Sequence, residues 1–572
     1  SYAGTVKGVA GGDLYLDGGI IQTATGNIDL RIAENVFLER ERIASSDYDG
    51  TVRTLGEAPT PEDNYWNYYF EEYDFYYSVP YFLNYGNGGD ISLNAGGSVT
   101  SLLNSNAWDV ALDTYDVLNP DSGGLWPDIT VWQPRYVEDL TTQGLATLFG
   151  GNLTVKVGGD FTAQAGTFGI GDLSLNVGGD LAGRLLNKEG TAAIQALGNI
   201  GAKNQGLDKN GLVFEIFDTD LQVANQGDLY VAAIVSPTIA HDGFTPANGF
   251  SSGDTWSAGY TAETKVGLTS LGGDVVLYGD SPYYENATEE GFLPATLEVA
   301  SERDILLFNT FSMLPADRGN LSLNAGRNID GSYRNSGGKL LFSRIIMSDD
   351  DETTVYGPEG TVPSDLNQIK PALYSSLLHQ GDKVPVTIQA GGDIESLGLR
   401  SAKAAQITAE GDIRFIQYIG QNLATDDESR ISAGHDIIVE SVFSELSGFG
   451  IEQGGPGTLV VEAGNRLDLG TSDGIRTYGS ENNVALGSKG SDLLVVVGYG
   501  TGYTVPKVAK MFAALKENGQ AYSTALSENR TEDAQEIIAR TRAEVIDSSL
   551  GDVSGDGDLD MIESLIRTSG GA

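Results

Sequence analysis

One short pattern recurs along this chain, and it restricts the possible folds more than any other feature. Residues 151–161 read GNLTVKVGGDF, and residues 171–181 read GDLSLNVGGDL, an offset of 20. Residues 88–99 read GGDISLNAGGSV, and residues 319–329 read GNLSLNAGRNI. Weaker copies begin at Asn27, Asp228, Asp274, Asp393, Asp412 and Asp436, the last three separated by 19 and 24 residues. Within each copy apolar and polar residues alternate, as in Leu153, Val155, Val157 and Leu173, Leu175, Val177. Such alternation describes a strand with one buried face. A glycine-rich turn follows, then a second short strand. The turn reading assigns glycine a positive φ and has Asp or Asn bond its own backbone.

A period near twenty residues with two or three short strands suits a right-handed parallel β-helix, in which each coil covers the apolar face of its neighbour. The competing fold is a β-sandwich, or several. Near-identical cores more than 200 residues apart favour the solenoid. The expectation is therefore an all-β chain: a parallel β-helix over residues 1–500, with a small helical module over 501–572. Insertions are expected at about 57–86, 104–147, 236–265 and 348–371.

Composition narrows the partners. The 79 acids against 34 bases give a net charge of -45, which repels nucleic acid and anionic membrane surfaces. There are no cysteines, so disulfides, thiolate metal sites and cysteine nucleophiles are excluded. Apolar runs such as Leu493–Val497 are only strand-length, and no membrane span is expected. The chain begins at Ser1 without a signal peptide, which reads as a processed part of a longer precursor. His241, His379 and His435 lie far apart and are assigned local structural roles.

The repeats resemble those of the filamentous haemagglutinin family, the large exoproteins of bacterial two-partner secretion. The stretch 455–479, GPGTLVVEAGNRLDLGTSDGIRTYG, carries the closest similarity. The resemblance implies a secreted or cell-surface protein and roles in adhesion, biofilm or contact-dependent delivery. Implied partners are further copies of the chain in a filament, or a host or neighbouring cell surface or glycan.

Two stretches stand out as candidate sites. Residues 57–86 hold a dense aromatic set that includes Tyr65, Trp66, Tyr68, Tyr69, Tyr73, Tyr76 and Tyr77, interleaved with Glu71, Glu72 and Asp74. Aromatic clusters stack on sugars or anchor a protein partner. The structural alternative is a loop that caps the solenoid. The second stretch is DVSGDGDLDMIE, 552–563. Oxygen side chains fall at loop positions 1, 3, 5, 9 and 12, and Gly557 falls at position 6, the spacing of a calcium loop. Seven acids lie between Glu544 and Glu563 without one Lys or Arg, a density that is repulsive unless a cation is present.

The segment around this loop resembles a dockerin-type calcium repeat. The resemblance implies side-chain ligation of Ca2+ by Asp552, Ser554 and Asp556, and carbonyl ligation by Asp558. Asp560 would act directly or through water, and Glu563 through both oxygens. Ser554 stands where Asp or Asn is usual, and a single copy is present where dockerins pair two. A helix through 507–517 ended by Gly519, and a second starting at Thr531, would precede the loop.

No catalytic spacing is found: acids are too abundant for paired carboxylates to signify, and basic residues on the repeat strands are sparse. The expected role is structural or adhesive rather than enzymatic, with head-to-tail assembly and calcium ordering the tail. The alternative is a carbohydrate-binding or polysaccharide-cleaving β-helix that uses the aromatic insertion.

Overall fold

The computed structural model describes residues 4–16, 19–38, 50–56, 65–70, 75–80, 87–101, 144–202, 212–235, 255–256, 260–279, 290–334, 338–347, 349, 361–362, 377–439, 450–480, 483–498 and most of 517–540. The chain divides into two compact units, 1–326 with 330–382, and 327–329 with 383–572. Each is built on a stack of parallel strands of the solenoid kind.

In the first unit the strand register equals the sequence repeat. Leu153–Val157 pairs in parallel with Leu173–Val177, Leu153 opposite Leu173, so one coil spans the 20 residues seen in the sequence. The alternating apolar residues then stack into columns. Leu30, Leu93, Val155, Leu175, Ile194, Val223, Leu268, Val299 and Leu323 follow one another in register, each at most 3% exposed. Each such side chain contributes on the order of 1.5–3 kcal/mol by leaving water. The column explains why near-identical segments recur: every coil meets the same surface above and below.

The second unit repeats the device with Ile388, Ile407, Ile431, Val461 and Val495. Its coil offsets follow the sequence too, since Ile394 pairs with Ile413 and Ile413 with Ile437.

Insertions leave this register intact. Asn152 and Asp90 are bonded neighbours although 62 residues apart in sequence. The stretch 102–143 lies between them and outside the described residues. Several expected insertion limits overlap the stack. Gly144–Thr147 is a core strand paired with Thr51–Thr54, and Lys265 opens the core strand Lys265–Ser270. Tyr260, at 1% exposure, is buried beside it and donates to the Ile234 carbonyl at 3.1 Å.

Two readings of the turn need correction. In the Gly-Gly-Asp turns at Gly158–Asp160 and Gly178–Asp180 neither glycine has a positive φ. Glycine is required there by close approach: a Cβ on Gly178 would meet the Gly158 carbonyl, and one on Gly179 would meet the Asp160 carboxylate. Positive φ belongs to the other corner, at Gly150 (101°) and Gly151 (98°). Nor does the Asp or Asn satisfy its own backbone. Its side chain accepts the backbone N–H of the equivalent residue in the next coil.

In the tail, helical residues run from Glu517 through Gly519 to about Ser527 and resume from Asp533 to Arg540. Gly519 therefore does not end a helix but lies inside one. Glycine costs only about 1 kcal/mol in a helix interior, and the buried Tyr522 and Ala525 follow it, at 3% and 0% exposure. Residues 541–572 lie outside the described residues.

Among the described residues no helix is long and apolar enough to cross a membrane. His379 is buried at 1%, with its ring against the Asp317 carbonyl at 3.3 Å, a structural setting. His435 is exposed and lies 3.9 Å from Asp412. His241 lies outside the described residues.

Candidate functional site

The coil corners carry the most regular chemistry. In the first unit the carboxylate or amide oxygen of each turn residue accepts a backbone N–H from the next coil. Asp13 accepts from Asn35 at 2.9 Å, Asn35 from Ser98 at 2.9 Å, and the Ser98 hydroxyl from Asp160 at 3.0 Å. The chain of bonds continues with Asp160 from Asp180 (2.9 Å), Asp180 from Asn199 (2.7 Å) and Asn199 from Asp228 (2.9 Å). Asp228 then accepts from Asp274 at 2.9 Å, and Asp274 from Asp304 at 3.1 Å. A second ladder at another corner links Asn27, Asp90, Asn152, Asp172 and Thr191 in the same way.

The second unit builds its own ladder from Asn328, Asp393, Asp412 and Asp436. These side chains satisfy N–H groups that a turn would otherwise leave unpaired, each worth about 1 kcal/mol. The Asn35 amide holds the Asp13 carboxyl below the usual carboxylate range.

Stacked carboxylates repel, and arginines offset this at some steps. Arg303 donates to both Asp228 and Asp274 at 2.8 Å. Arg414 pairs with Asp393 and Asp412, and Arg466 with Asp436 at 3.3 Å. Aromatic rings stack alongside. Tyr278 and Phe308 lie face to face at 5.4 Å, with Tyr333 edge-on to Phe308 at 6.5 Å.

The aromatic insertion contains an antiparallel hairpin, Tyr65–Phe70 with Phe75–Pro80. Its register sets Tyr68 opposite Tyr77, Tyr69 opposite Tyr76, and Phe70 opposite Phe75. The hairpin thus holds six of the seven singled-out aromatics, four of them as two cross-strand pairs, in a stretch that sequence reading treated as a loop. Tyr73 lies outside the described residues. So do all six expected calcium ligands, Asp552, Ser554, Asp556, Asp558, Asp560 and Glu563. Among the described residues no group of three or more His, Asp or Glu side chains is set to hold a metal ion.

Two surface grooves of about 620 Å³ each lie on the first unit. One is rimmed by the acids Glu189, Asp218, Asp220, Glu263 and Asp317, set against Lys265 and Arg318. Part of this charge is already paired, because Lys265 reaches Asp220 at 3.4 Å and the Thr261 hydroxyl donates to Asp218 at 2.7 Å. The other groove has a mostly apolar lining that includes Val157, Val177 and Leu197, with the outward polar residues Asn94, Lys156, Asn176 and Gln195 on successive coils. Sequence reading missed both. The signal was present in the outward polar positions of each repeat, to which the sequence reading assigned no role.

Comparisons of this chain with protein-family models, with curated proteins and with solved structures found no match.

Proposed function

We propose that this chain is a secreted structural or adhesive exoprotein of a bacterial surface or extracellular filament. In this reading it is a right-handed parallel β-helix of the filamentous-haemagglutinin kind, without enzymatic activity. The observation that carries the proposal is that each unit is a stack of parallel strands whose corners are tied coil to coil by side-chain ladders. Such a stack buries its core in every coil and holds its surface in fixed register, which suits presentation of insertions rather than a moving catalytic site. The net charge of -45 fits an extracellular, calcium-rich setting.

Calcium bound by Asp552, Ser554, Asp556, Asp558, Asp560 and Glu563 orders the helical tail, which then docks on another copy or a surface. Extracellular modules of this type bind at about 10⁻⁴–10⁻³ M. The test is electron microscopy and limited proteolysis in millimolar calcium and in chelator. Filaments that dissolve, or a tail that becomes protease-sensitive, support the reading. Unchanged particles and an unchanged digestion pattern sink it.

A second reading is favoured by the in-register tyrosine pairs of the hairpin: binding, or cleavage, of a glycan at Tyr65–Pro80. A glycan-array signal abolished by Trp66→Ala with Tyr69→Ala would select it.

A further inference from the structure

We infer that the amide-lined groove of the first unit is a binding site for a linear, uncharged polysaccharide lying along the stacking direction. The floor is built by register. Asn94, Lys156, Asn176 and Gln195 occupy equivalent outward positions of four successive strands. On the next coil the register position is Ala224, and Gln226 and Leu271 extend the lining over the next two coils beside small and apolar residues such as Ala95, Val157 and Leu197. Neighbouring strands are about 4.8 Å apart, so the five steps from the first coil to the sixth give a groove roughly 24 Å long.

These side chains are not spent on the fold. Among the described residues the side chains of Asn94, Lys156, Gln195 and Gln226 make no hydrogen bond, and Asn176 makes one long contact to Ser174 at 3.5 Å. Neighbouring outward polar groups are engaged, as Arg31, on the coil before Asn94, is with Asp29, and Gln222, on the coil of Gln226, is with Asp220. A stabilising ladder would bond amide to amide, and this one does not. Its rim carries Leu197 and Leu271, 60% and 63% exposed, which is costly surface for a soluble face unless something covers it.

The chemistry selects the ligand class. Primary amides both donate and accept, as do sugar hydroxyls, and they recur at the spacing of the coils. The leucines suit the C–H faces of pyranose rings. Lys156 adds donors, but a chain of net charge -45 disfavours a polyanion. An extended peptide has no edge to join, because the strands of the floor are already hydrogen-bonded on both sides. The site is separate from the aromatic hairpin, and the inference does not depend on it.

Affinity electrophoresis and calorimetry with cellohexaose, chitohexaose and hexagalacturonic acid test the inference on the full chain. A neutral hexasaccharide is expected to bind. Asn94→Ala with Asn176→Ala should weaken it about tenfold or more, with an unchanged circular-dichroism melt. Lys156→Met should weaken it less, and Lys7→Ala, on another coil, should leave it alone. The inference is overturned if no neutral probe binds, if only the acidic hexamer binds, or if the groove variants bind as wild type does.

Discussion

Lys156 and Gln195 occupy outward positions of the stacked strands in the first unit and stand exposed in solvent. Arg430 and Glu462 are also outward residues of stacked strands, in the second unit, but they are buried, with side chains 10% and 0% exposed. There Arg430 pairs with Glu462 at 2.5 Å and with Glu428 at 2.7 Å, and the Ser432 hydroxyl donates to Glu462 at 3.1 Å. The inward faces of the two units are alike, and the repeat dictates them. The outward faces differ because the repeat leaves them free, so one becomes a groove and the other a covered ionic layer. Burial works against the charge of Arg430, and the two glutamates more than offset it, leaving its pKa raised. Burial pushes the Glu462 carboxyl up, and Arg430 opposes this.

The contrast makes the largest prediction. Arg430→Ala leaves Glu462 buried without its partner and should destabilise the second unit by about 3–5 kcal/mol. Lys156→Ala, at an outward position of the first unit, should change stability by less than about 0.5 kcal/mol. Denaturant midpoints for the two variants check this. Equal effects would mean that the outward faces are not used differently.

A second contrast lies within one motif. Gly11–Asp13 and Gly178–Asp180 both read Gly-Gly-Asp. A Cβ on Gly12 meets nothing within 4 Å, whereas one on Gly179 falls on the Asp160 carboxylate of the coil beneath. Gly179→Ala should cost about 1–3 kcal/mol as an overpacked contact. Gly12→Ala should be neutral or stabilise by about 0.4–1 kcal/mol through the unfolded state. Thermal melts of the two variants decide whether close packing, rather than φ, selects these glycines.

The ladder bonds come next. Asp180→Ala removes the acceptor for the Asn199 N–H and should cost about 1 kcal/mol. Asp180→Asn keeps the acceptor oxygen and should cost little. If both variants melt alike, the carboxylate charge and not the hydrogen bond is what the corner uses.

These contrasts mark what was legible in the sequence. The stacking register was legible, because the spacings of 20, 19 and 24 residues reappear as Leu153 on Leu173, Ile394 on Ile413 and Ile413 on Ile437. The weak repeat starts at Asp228, Asp274, Asp393, Asp412 and Asp436 all proved to be ladder positions. The direction of those side-chain bonds was not legible, since a turn read alone has no neighbouring coil to accept from.

Nor was the buried polar column Thr54, Thr147, Thr167 and Asn187, each at most 1% exposed. Threonine at an inward position looks like a lapse in alternation until its hydroxyl finds a carbonyl, as Thr147 finds Gly151 at 2.9 Å. The hairpin pairing of Tyr68 with Tyr77 was hidden for another reason. The aromatic density of 57–86 masked the strand alternation.

The first unit also holds a buried ion pair, and it gives the smallest expected effect. Glu215 is fully buried on the strand Leu212–Asn225 and accepts from Arg184, whose side chain is 22% exposed. Burial pushes the Glu215 carboxyl above its ordinary value, and Arg184 only partly opposes this. A carboxyl raised on folding binds its proton more tightly in the folded state. Its contribution is therefore fully present below the unfolded value, near 4.5, and is lost as pH rises through the folded value. Glu215→Gln stands in for the protonated form. It should match wild type in mild acid and gain on it as pH rises, by under about 1 kcal/mol, because Arg184 keeps access to water. Melts of both proteins between pH 4 and pH 8 read this directly. A variant that instead falls behind wild type at high pH would mean that Arg184 outweighs burial at this carboxyl.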